Sequence, residues 1–323
     1  MDLFESLKEK INGKDLKIVF PEGNEPRILG AAARLKKEGL LVPVLLGNAE
    51  EVKKAAADGG FDIEGIEIMD PENYDEFDAM VDSFVERRKG KATEEDARKM
   101  LKNVNYFGTM LTYMDKMDGM VSGAVHSTGD TVRPALQIVK TKPGVSRTSG
   151  SFVMIGPDGE RYLFADCAIN ITLSDKEMAE VAVESAKTAE LFGIDPKVAM
   201  LSFSTMGSAK SEESEKVQRA TEMAKELAPE LAIDGEIQFD AAIAPEVGKQ
   251  KAPDSKVTGE ATVFIFPSLE AGNIGYKIAQ RLGKFEAIGP ILQGLNKPIS
   301  DLSRGCNEED VYKLAIITAA QSL

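Results

Sequence analysis

A serine and an arginine stand side by side near the end of the chain, just before an acidic cluster at the start of a predicted helix. Ser303 can donate a hydrogen bond, Arg304 can bind an anion, and Gly305 allows close approach of the backbone. Helix capping explains much of the acidity, because Asn307 can be the N-cap and Asp310 its capping-box partner. Capping does not require the serine and arginine, so this pair points to an anionic substrate.

A second segment, residues 121–134, runs from a predicted strand through small hydroxyl residues into a helix expected to begin near Thr131. Its backbone N–H groups, the hydroxyls of Ser127 and Thr128, the helix dipole and Arg133 could together hold a phosphate. Serine, threonine and aspartate also favour helix starts for purely structural reasons, and on local grounds an ordinary cap is the stronger explanation.

Two later loops repeat this arrangement. Residues 202–211 follow a predicted strand with hydroxyls, glycine and a cation, and residues 270–277 open a helix after another strand. Both could bind an anion at a helix N-terminus. On local grounds a simple connection is the stronger explanation for the first of them, and Asn273 in the second could be no more than a cap.

Several function classes are disfavoured by what the sequence lacks. It contains no G-x-G-x-x-G, no G-x-x-x-x-G-K-[ST] and no H-E-x-x-H motif. The single histidine, His126, has no serine at nucleophile-elbow spacing, which makes a serine hydrolase improbable. Cys167 and Cys306 stand in no metal-ligand spacing, so we expect no metal site and a reducing compartment.

Charge and hydropathy also restrict the partners. The chain has 39 Lys and Arg against 53 Asp and Glu, a formal charge of −14, which disfavours nucleic acid. No apolar run approaches the ~20 residues that cross a bilayer, and the first residues do not resemble a signal peptide. We therefore expect a cytoplasmic protein that does not enter a membrane and captures anions with a few placed cations.

Short β-rich runs alternate with longer helical patterns, which predicts an α/β fold with mostly parallel sheets. Strands are expected at 16–20, 41–46, 65–69, 118–122, 198–203, 233–239 and 263–266. Two runs, 151–155 and 161–165, flank Gly156-Pro157-Asp158-Gly159 and predict a hairpin. The change of pattern after Lys140 predicts a discontinuous first domain, 1–144 plus 291–323, with a second domain, 145–290, inserted in it.

The chain resembles the phosphate acetyltransferase (phosphotransacetylase) members of the phosphate acetyl/butyryltransferase family. Ser303-Arg304 with Asp310 is similar to the active-site signature of that family, and residues 123–128 with 133–141 are similar to its other long signature. The resemblance covers essentially the full length and continues through residues 164–166, 201–205, 233–236, 240–243, 272–274 and 279–282.

The resemblance implies an acyltransferase of acetate metabolism that reversibly moves an acetyl group between acetyl phosphate and the thiol of coenzyme A. The products are acetyl-CoA and inorganic phosphate. It further implies two αβα domains with the active-site cleft between them, a homodimer, coenzyme A as a substrate, and no tightly bound cofactor.

The resemblance also implies residue roles. Asp310 takes the thiol proton, Ser303 hydrogen-bonds near the reacting groups, and Arg304 and Arg133 hold phosphate or coenzyme A. An arginine near the end of the third helix shares that task, and Arg88 fits this role better than its neighbour Arg87. Further substrate-binding residues are expected at Ser127, Thr128, Asn273, Tyr276 and Lys277.

Three alternatives stay open. The acyl group could be longer, such as butyryl, because the sequence does not size the acyl pocket. A metal-dependent decarboxylating dehydrogenase has a similar fold, but the sequence shows no set of metal-binding aspartates. A catalytically inactive protein that binds coenzyme A or acyl phosphate is the third, and the joint presence of Ser303, Arg304 and Asp310 argues against it.

Overall fold

A computed structural model describes residues 3–323. These residues divide into two compact units: one contains the chain up to Lys140 together with Leu295–Leu323, and the other contains Thr141–Gly294. The first unit contains a five-stranded sheet and the second a six-stranded sheet. The predicted α/β class with mostly parallel sheets is confirmed.

The first unit begins with alternating helices and strands. Their order is α1 (Leu3–Ile11), β1 (Lys17–Phe20), α2 (Pro26–Lys37), β2 (Val42–Leu46), α3 (Ala49–Gly59), β3 (Glu67–Met69), α4 (Phe77–Arg88), α5 (Glu94–Met100), α6 (Val104–Tyr113), β4 (Gly119–Ser122) and α7 (Thr128–Pro134). A π-helical turn, Ala135–Val139, continues α7 directly.

The second unit opens with an antiparallel pair and then resumes the βα alternation. Its elements are β5 (Ser149–Ile155), β6 (Arg161–Ala165), α8 (Asp175–Leu191), β7 (Lys197–Leu201), α9 (Glu212–Leu227), β8 (Ala232–Ile237), α10 (Phe239–Ile243), α11 (Pro245–Lys251), β9 (Val263–Ile265), α12 (Leu269–Arg281) and β10 (Glu286–Gln293). The pairing of β5 with β6 confirms the predicted hairpin. The chain ends with β11 (Ile299–Asp301) and α13 (Glu308–Gln321).

The first sheet has the strand order β11-β4-β1-β2-β3, and all of its pairs are parallel. Ile18, Val19 and Phe20 of the central strand β1 are fully buried, as expected for a strand covered on both faces. The carboxyl ends of parallel strands meet at one edge of a sheet, where α/β proteins bind ligands. The loops after β1, β4 and β11 are therefore neighbours at that edge.

The second sheet has the order β10-β5-β6-β9-β7-β8. The β10–β5 and β5–β6 pairs are antiparallel, and the remaining pairs are parallel. Aromatic and aliphatic side chains from this sheet and its helices form the core of the unit, with Phe264 fully buried at its centre. None of the helices among residues 3–323 combines the length and the apolar character needed to cross a membrane.

The helix starts were predicted with mixed success. Capping boxes are present at Thr93 in α5, Ser174 in α8 and Asn307 in α13, and the one at Asn307 confirms the expected pairing with Asp310. Two details were wrong. Helix α7 begins at Thr128 rather than near Thr131, and Asn273 lies inside α12, which Ser268 caps.

Candidate functional site

The loop after β11 presents the serine and arginine to solvent. Ser303, Arg304 and Asp310 are all exposed. The backbone N–H of Gly305 donates to Ser303 Oγ at 3.2 Å, and the N–H of Cys306 donates to the Ser303 carbonyl oxygen at 2.9 Å. Because Ser303 Oγ accepts a bond from its own loop, its hydroxyl proton can be donated to a ligand.

Asp310 has two features that bear on its role. One carboxylate oxygen accepts from the Asn307 N–H at 2.9 Å, and the Asp310 N–H donates to Asn307 Oδ1 at 2.9 Å, which closes the capping box. Its other carboxylate oxygen accepts no hydrogen bond within residues 3–323. Capping therefore fixes the orientation of the side chain and leaves one oxygen available to a substrate.

Arg27, in the first turn of α2, links two of the loops. Its Nη1 donates to the carbonyl oxygens of Arg304 at 3.0 Å and Cys306 at 2.9 Å, and its Nη2 donates to the carbonyl oxygen of Ala124 at 2.9 Å. Glu25 pairs with its Nε at 2.6 Å. Sequence reasoning missed this residue. The available signal was a cation at a helix N-terminus, where the dipole disfavours positive charge.

Residues on α2 also hold the start of α13. Arg34 forms a salt bridge with Glu309, the neighbour of Asp310, at 2.5 Å. The Arg34 guanidinium lies 3.6 Å from the ring centroid of Tyr312, and the Tyr312 hydroxyl donates to Glu38. The first turn of α13, which carries Asp310, is thus anchored by ionic and cation–π contacts.

The loop after β4 is organised by a buried carboxylate that the sequence analysis did not select. Glu22 Oε2 accepts from the backbone N–H groups of Gly123 at 3.2 Å and Ala124 at 2.8 Å. Glu22 Oε1 accepts from those of Val125 at 2.8 Å and His126 at 2.9 Å, and from His126 Nδ1 at 2.8 Å. These four amides already bind Glu22 and are not free to hold a phosphate, which agrees with the structural explanation that was the stronger one on local grounds.

The pair of Glu22 and His126 is electrostatically coupled. Burial raises the pKa of Glu22, but the hydrogen bonds from His126 and from three backbone N–H groups outweigh burial, so the pKa lies below its usual value. The hydrogen bond with Glu22 raises the pKa of His126 above its usual value, with burial acting in the opposite direction. Both shifts favour an ionised carboxylate beside a protonated imidazole.

The predicted binding residues of α7 follow directly after this loop. Ser127 caps the helix: its hydroxyl donates to Asp130 at 2.7 Å and accepts the Asp130 N–H at 3.3 Å. Capping therefore uses the Ser127 hydroxyl proton. Thr128 and Arg133 are exposed; the Thr128 hydroxyl lies within hydrogen-bonding reach of the buried Asp301 carboxylate, and Arg133 is the cation that this segment offers to an anion.

Arg87 and Arg88, at the end of α4, differ in their partners. Arg87 Nε donates to the Ile138 carbonyl oxygen at 2.5 Å, and its Nη2 donates to that of Val139 at 3.0 Å. Arg88 Nε is buried and has no hydrogen-bond partner among the described residues. The geometry therefore gives Arg87 a structural role and favours Arg88 as the arginine available to a ligand.

Arg88 and Arg133 act on the same region of the first unit. Burial raises the pKa of Tyr106, and the charges of Arg133 and Arg88 oppose that shift, so both lie near its hydroxyl. Burial and the cations at the end of α4 also lower the pKa of Lys140. A concentration of positive charge on a chain of formal charge −14 is a feature expected for anion binding.

The other three predicted binding residues lie on α12 in the second unit. Asn273 Nδ2 donates to the Cys167 carbonyl oxygen at 3.1 Å, and its Oδ1 accepts from Lys277 Nζ at 2.8 Å. The Tyr276 ring stacks on Phe152 with centroids 4.1 Å apart and 16° between the planes. These residues are brought together on one helix, and contacts within the unit hold the Asn273 amide and the Tyr276 ring in place.

The loop 202–211 packs against a second buried carboxylate, Glu236 on β8. Glu236 Oε1 accepts from the Ser204 hydroxyl at 2.7 Å and from the Gly207 N–H at 2.8 Å. The Ser208 hydroxyl accepts from the Thr205 N–H at 3.0 Å. Several donors that suggested anion binding in this loop are therefore already used, either by Glu236 of β8 or within the loop itself.

The two cysteines are shielded from solvent. Cys167 and Cys306 are free and buried, and burial raises the pKa of both thiols. Buried thiols of raised pKa are poor nucleophiles. Across residues 3–323, no group of three or more His, Cys, Asp and Glu side chains is arranged to hold a metal ion.

Comparison with known proteins gives full-length matches. The family model described as phosphate acetyl/butaryl transferase matches residues 2–319. The phosphate acetyltransferase of Bacillus subtilis is 62% identical over 322 residues, which is 100% of this chain and 99% of that protein. A phosphotransacetylase structure from Streptococcus pyogenes has a TM-score of 0.98 at 63% identity and covers 99% of this chain and 98% of that one. The EutD phosphotransacetylase from Staphylococcus aureus has a TM-score of 0.95 at 60% identity, with coverages of 100% and 98%.

Proposed function

The chain belongs to the phosphate acetyl/butaryl transferase family and acts as a phosphate acetyltransferase, and we propose that Ser303, Arg304 and Asp310 carry out its reaction. The observation that carries this assignment of residues is the loop after β11. Arg27 and the capping box hold its backbone, while the functional side chains remain exposed. The loop is thus rigid and accessible, as a preorganised site requires.

The proposed reaction joins coenzyme A and acetyl phosphate directly. The free carboxylate oxygen of Asp310 takes the proton of the coenzyme A thiol, and the sulfur attacks the acetyl carbon. The bond from that carbon to the bridging phosphate oxygen then breaks, which gives acetyl-CoA and inorganic phosphate. The proton passes from Asp310 to the departing phosphate or to solvent.

Each of the other groups contributes to charge or orientation. The Arg304 guanidinium favours the thiolate form and neutralises phosphate charge. The Ser303 hydroxyl donates to the oxygen that becomes negative in the transition state. Arg133 and Thr128 bind the phosphoryl group, with Ser127 orienting the start of α7. Direct attack by coenzyme A is favoured over an acyl-cysteine route because burial raises the pKa of both cysteine thiols.

We assign coenzyme A binding to Arg88 and to Asn273, Tyr276 and Lys277. Support comes from the unpartnered buried Nε of Arg88 and from the amide, aromatic ring and cation that share one helix face on α12. Guanidinium and ammonium groups suit the phosphates of coenzyme A, and an aromatic ring suits its flat or apolar parts.

The proposal extends to the setting of the enzyme. We place it in the cytoplasm and in acetate metabolism, as a homodimer whose two domains correspond to the two compact units, with coenzyme A as a substrate. The unpaired cysteines support a reducing compartment. The mass of the purified protein by light scattering tests the dimer.

The central experiment mixes purified protein with acetyl phosphate and coenzyme A and follows thioester formation by its ultraviolet absorbance. Rapid formation of acetyl-CoA with equal release of inorganic phosphate is expected. Absence of thioester contradicts the assigned activity. Running the same assay with butyryl phosphate measures the preference for acyl chain length, and we expect acetyl to be used with the higher kcat/KM.

A further inference from the structure

Glu22 occupies a place where α/β proteins commonly bind an external anion. The four consecutive N–H groups that follow β4 converge on it, and such converging amides at the end of a strand form an anion-binding concavity. We propose that Glu22 is a positioning residue: it serves as the built-in anion of the loop Gly123–His126 and thereby places Thr128 and Arg133 for acetyl phosphate. This inference rests on the proposed function and names a residue outside its catalytic set.

The contacts of Glu22 leave its side chain little freedom. Five donors bind its two oxygens at 2.8–3.2 Å, and the side chain is fully buried. Hydrogen bonds to an ionised acceptor are roughly twice as strong as neutral ones. A neutral amide cannot replace the carboxylate here, because glutamine would turn an NH2 group toward at least two of these donors.

A shift of this loop would move both parts of the proposed site, the start of α7 and the loop after β11. His126 is followed at once by Ser127, the N-cap of α7, so a shift of the four amides moves the first turn of α7. The backbone of Ala124 is held on both sides: its N–H donates to Glu22, and its carbonyl oxygen accepts from Arg27. Because Arg27 also binds the Arg304 carbonyl oxygen, displacement of Glu22 disturbs the loop after β11 as well.

The first test compares Glu22→Gln with Glu180→Gln in acetyl-CoA formation. Glu180, on α8, is also buried and accepts from the N–H and the hydroxyl of Ser146 at 2.7 and 3.0 Å, but it lies outside the proposed site. We expect Glu22→Gln to raise the KM for acetyl phosphate about tenfold, with a smaller change in kcat. Glu180→Gln should lower the melting temperature and leave this KM within about twofold. An unchanged KM in folded Glu22→Gln overturns the positioning role.

The second test does not depend on activity or on a stable variant. His126 is the only histidine, so its ring nitrogens give unambiguous NMR signals. The ring is faced by Glu22, by Asp130 on α7, and by Glu51 on α3, which lines the same cavity of about 270 Å³. In the wild type we expect Nδ1 to be protonated and the titration midpoint to lie above that of free histidine.

The outcomes of the NMR and activity experiments separate the positioning role of Glu22 from the proposed function. A His126 midpoint at or below the free value, with Nδ1 unprotonated, overturns the Glu22 arrangement even if every variant fails to fold. In Glu22→Gln the midpoint should fall toward the free value. Absence of acetyl-CoA from the wild type refutes the proposed function, whereas an unchanged KM in an active Glu22→Gln enzyme refutes the positioning role alone.

Discussion

The loops after β4 and β11 lie next to each other at the same edge of one sheet, yet they treat negative charge in opposite ways. In the loop after β4, four backbone amides and a histidine enclose the carboxylate of Glu22. In the loop after β11, Arg27 and capping hold the backbone, while Ser303 and Arg304 stay exposed. The carboxylate of Glu22 fills the first loop, and the second is the one where we propose that a ligand binds.

The difference shows that a strand, a hydroxyl-rich loop and a helix start are not enough to identify an anion site. The second unit repeats the filled arrangement, because the Asp166 carboxylate accepts the N–H groups of Ala168, Ile169 and Asn170 at 2.9–3.1 Å. A buried carboxylate within reach of the amides decides whether the cradle is a structural device or a binding site. Our proposed site therefore rests on the side chains that remain exposed after the backbone groups have found partners.

Loss of the proposed base, Asp310, should have the largest effect on activity. Asp310→Asn keeps an oxygen that can accept from the Asn307 N–H, so the cap survives while the base is lost. We expect kcat to fall by at least about 10²-fold, because general base catalysis contributes on that order. Initial rates at saturating substrate, together with thermal melting, measure the two effects separately.

Asp96→Asn is the matched control for this variant. Asp96 holds the same capping-box position in α5, is exposed, and accepts from the Thr93 N–H at 3.0 Å. Both variants should change the stability by less than about 1 kcal/mol, and only Asp310→Asn should lose activity. Turnover at the wild-type rate in Asp310→Asn would leave Asp310 as a cap and nothing more.

Weakening the Arg27 contacts that join the loops after β4 and β11 should have an intermediate effect on activity. Arg27→Lys keeps the charge, but a single ammonium cannot reproduce the planar fork that binds the carbonyl oxygens of Ala124, Arg304 and Cys306. We expect kcat/KM to fall about tenfold and the unfolding free energy to fall by about 1–3 kcal/mol. Arg98→Lys, at an exposed arginine that pairs with Asp78, is the control that should change neither. Equal kcat/KM in both variants contradicts the bridging role of Arg27.

Much of the fold was predictable because its signals are local. Strand positions follow from short β-rich runs, and the capping boxes of Thr93, Ser174 and Asn307 follow from residues three positions apart. The exposed pair Ser303-Arg304 was found because capping does not require it.

The contacts that organise the site were not predictable in the same way. Glu22 and the amides that donate to it are separated by at least 101 positions in the sequence, and Arg27 and Arg304 are separated by 277. These contacts depend on which strands become neighbours, and strand order is not a local property of the sequence. A ligand remained a possible partner for the amides after β4 because nothing nearby in the sequence showed a competing carboxylate.

Removing the Glu22 carboxylate should convert the loop after β4 from a filled anion cradle into an open one. Glu22→Ala removes the carboxylate beside a cavity of about 270 Å³ and leaves five donors without an acceptor. Added formate, a small carboxylate, should then restore kcat/KM several-fold in Glu22→Ala, with no effect on Glu22→Gln, where the space is occupied. Formate that fails to raise kcat/KM in folded Glu22→Ala argues against an anion cradle at this position.

The smallest expected effect is a pH dependence of stability carried by the single histidine. The pKa of His126 is raised in the folded protein, so folding binds its proton more tightly. The stabilisation is fully present below the unfolded pKa of about 6.5, and it is lost as the pH rises through the higher folded pKa. For one proton the slope is at most about 1.4 kcal/mol per pH unit.

Denaturant unfolding between the unfolded and folded pKa values of His126 should show wild-type stability falling relative to His126→Gln as the pH rises. For Glu22 the pKa is lowered, so its contribution is lost at the opposite, acidic end of the range. Parallel curves for the wild type and His126→Gln would mean that the filled loop does not hold a charged pair.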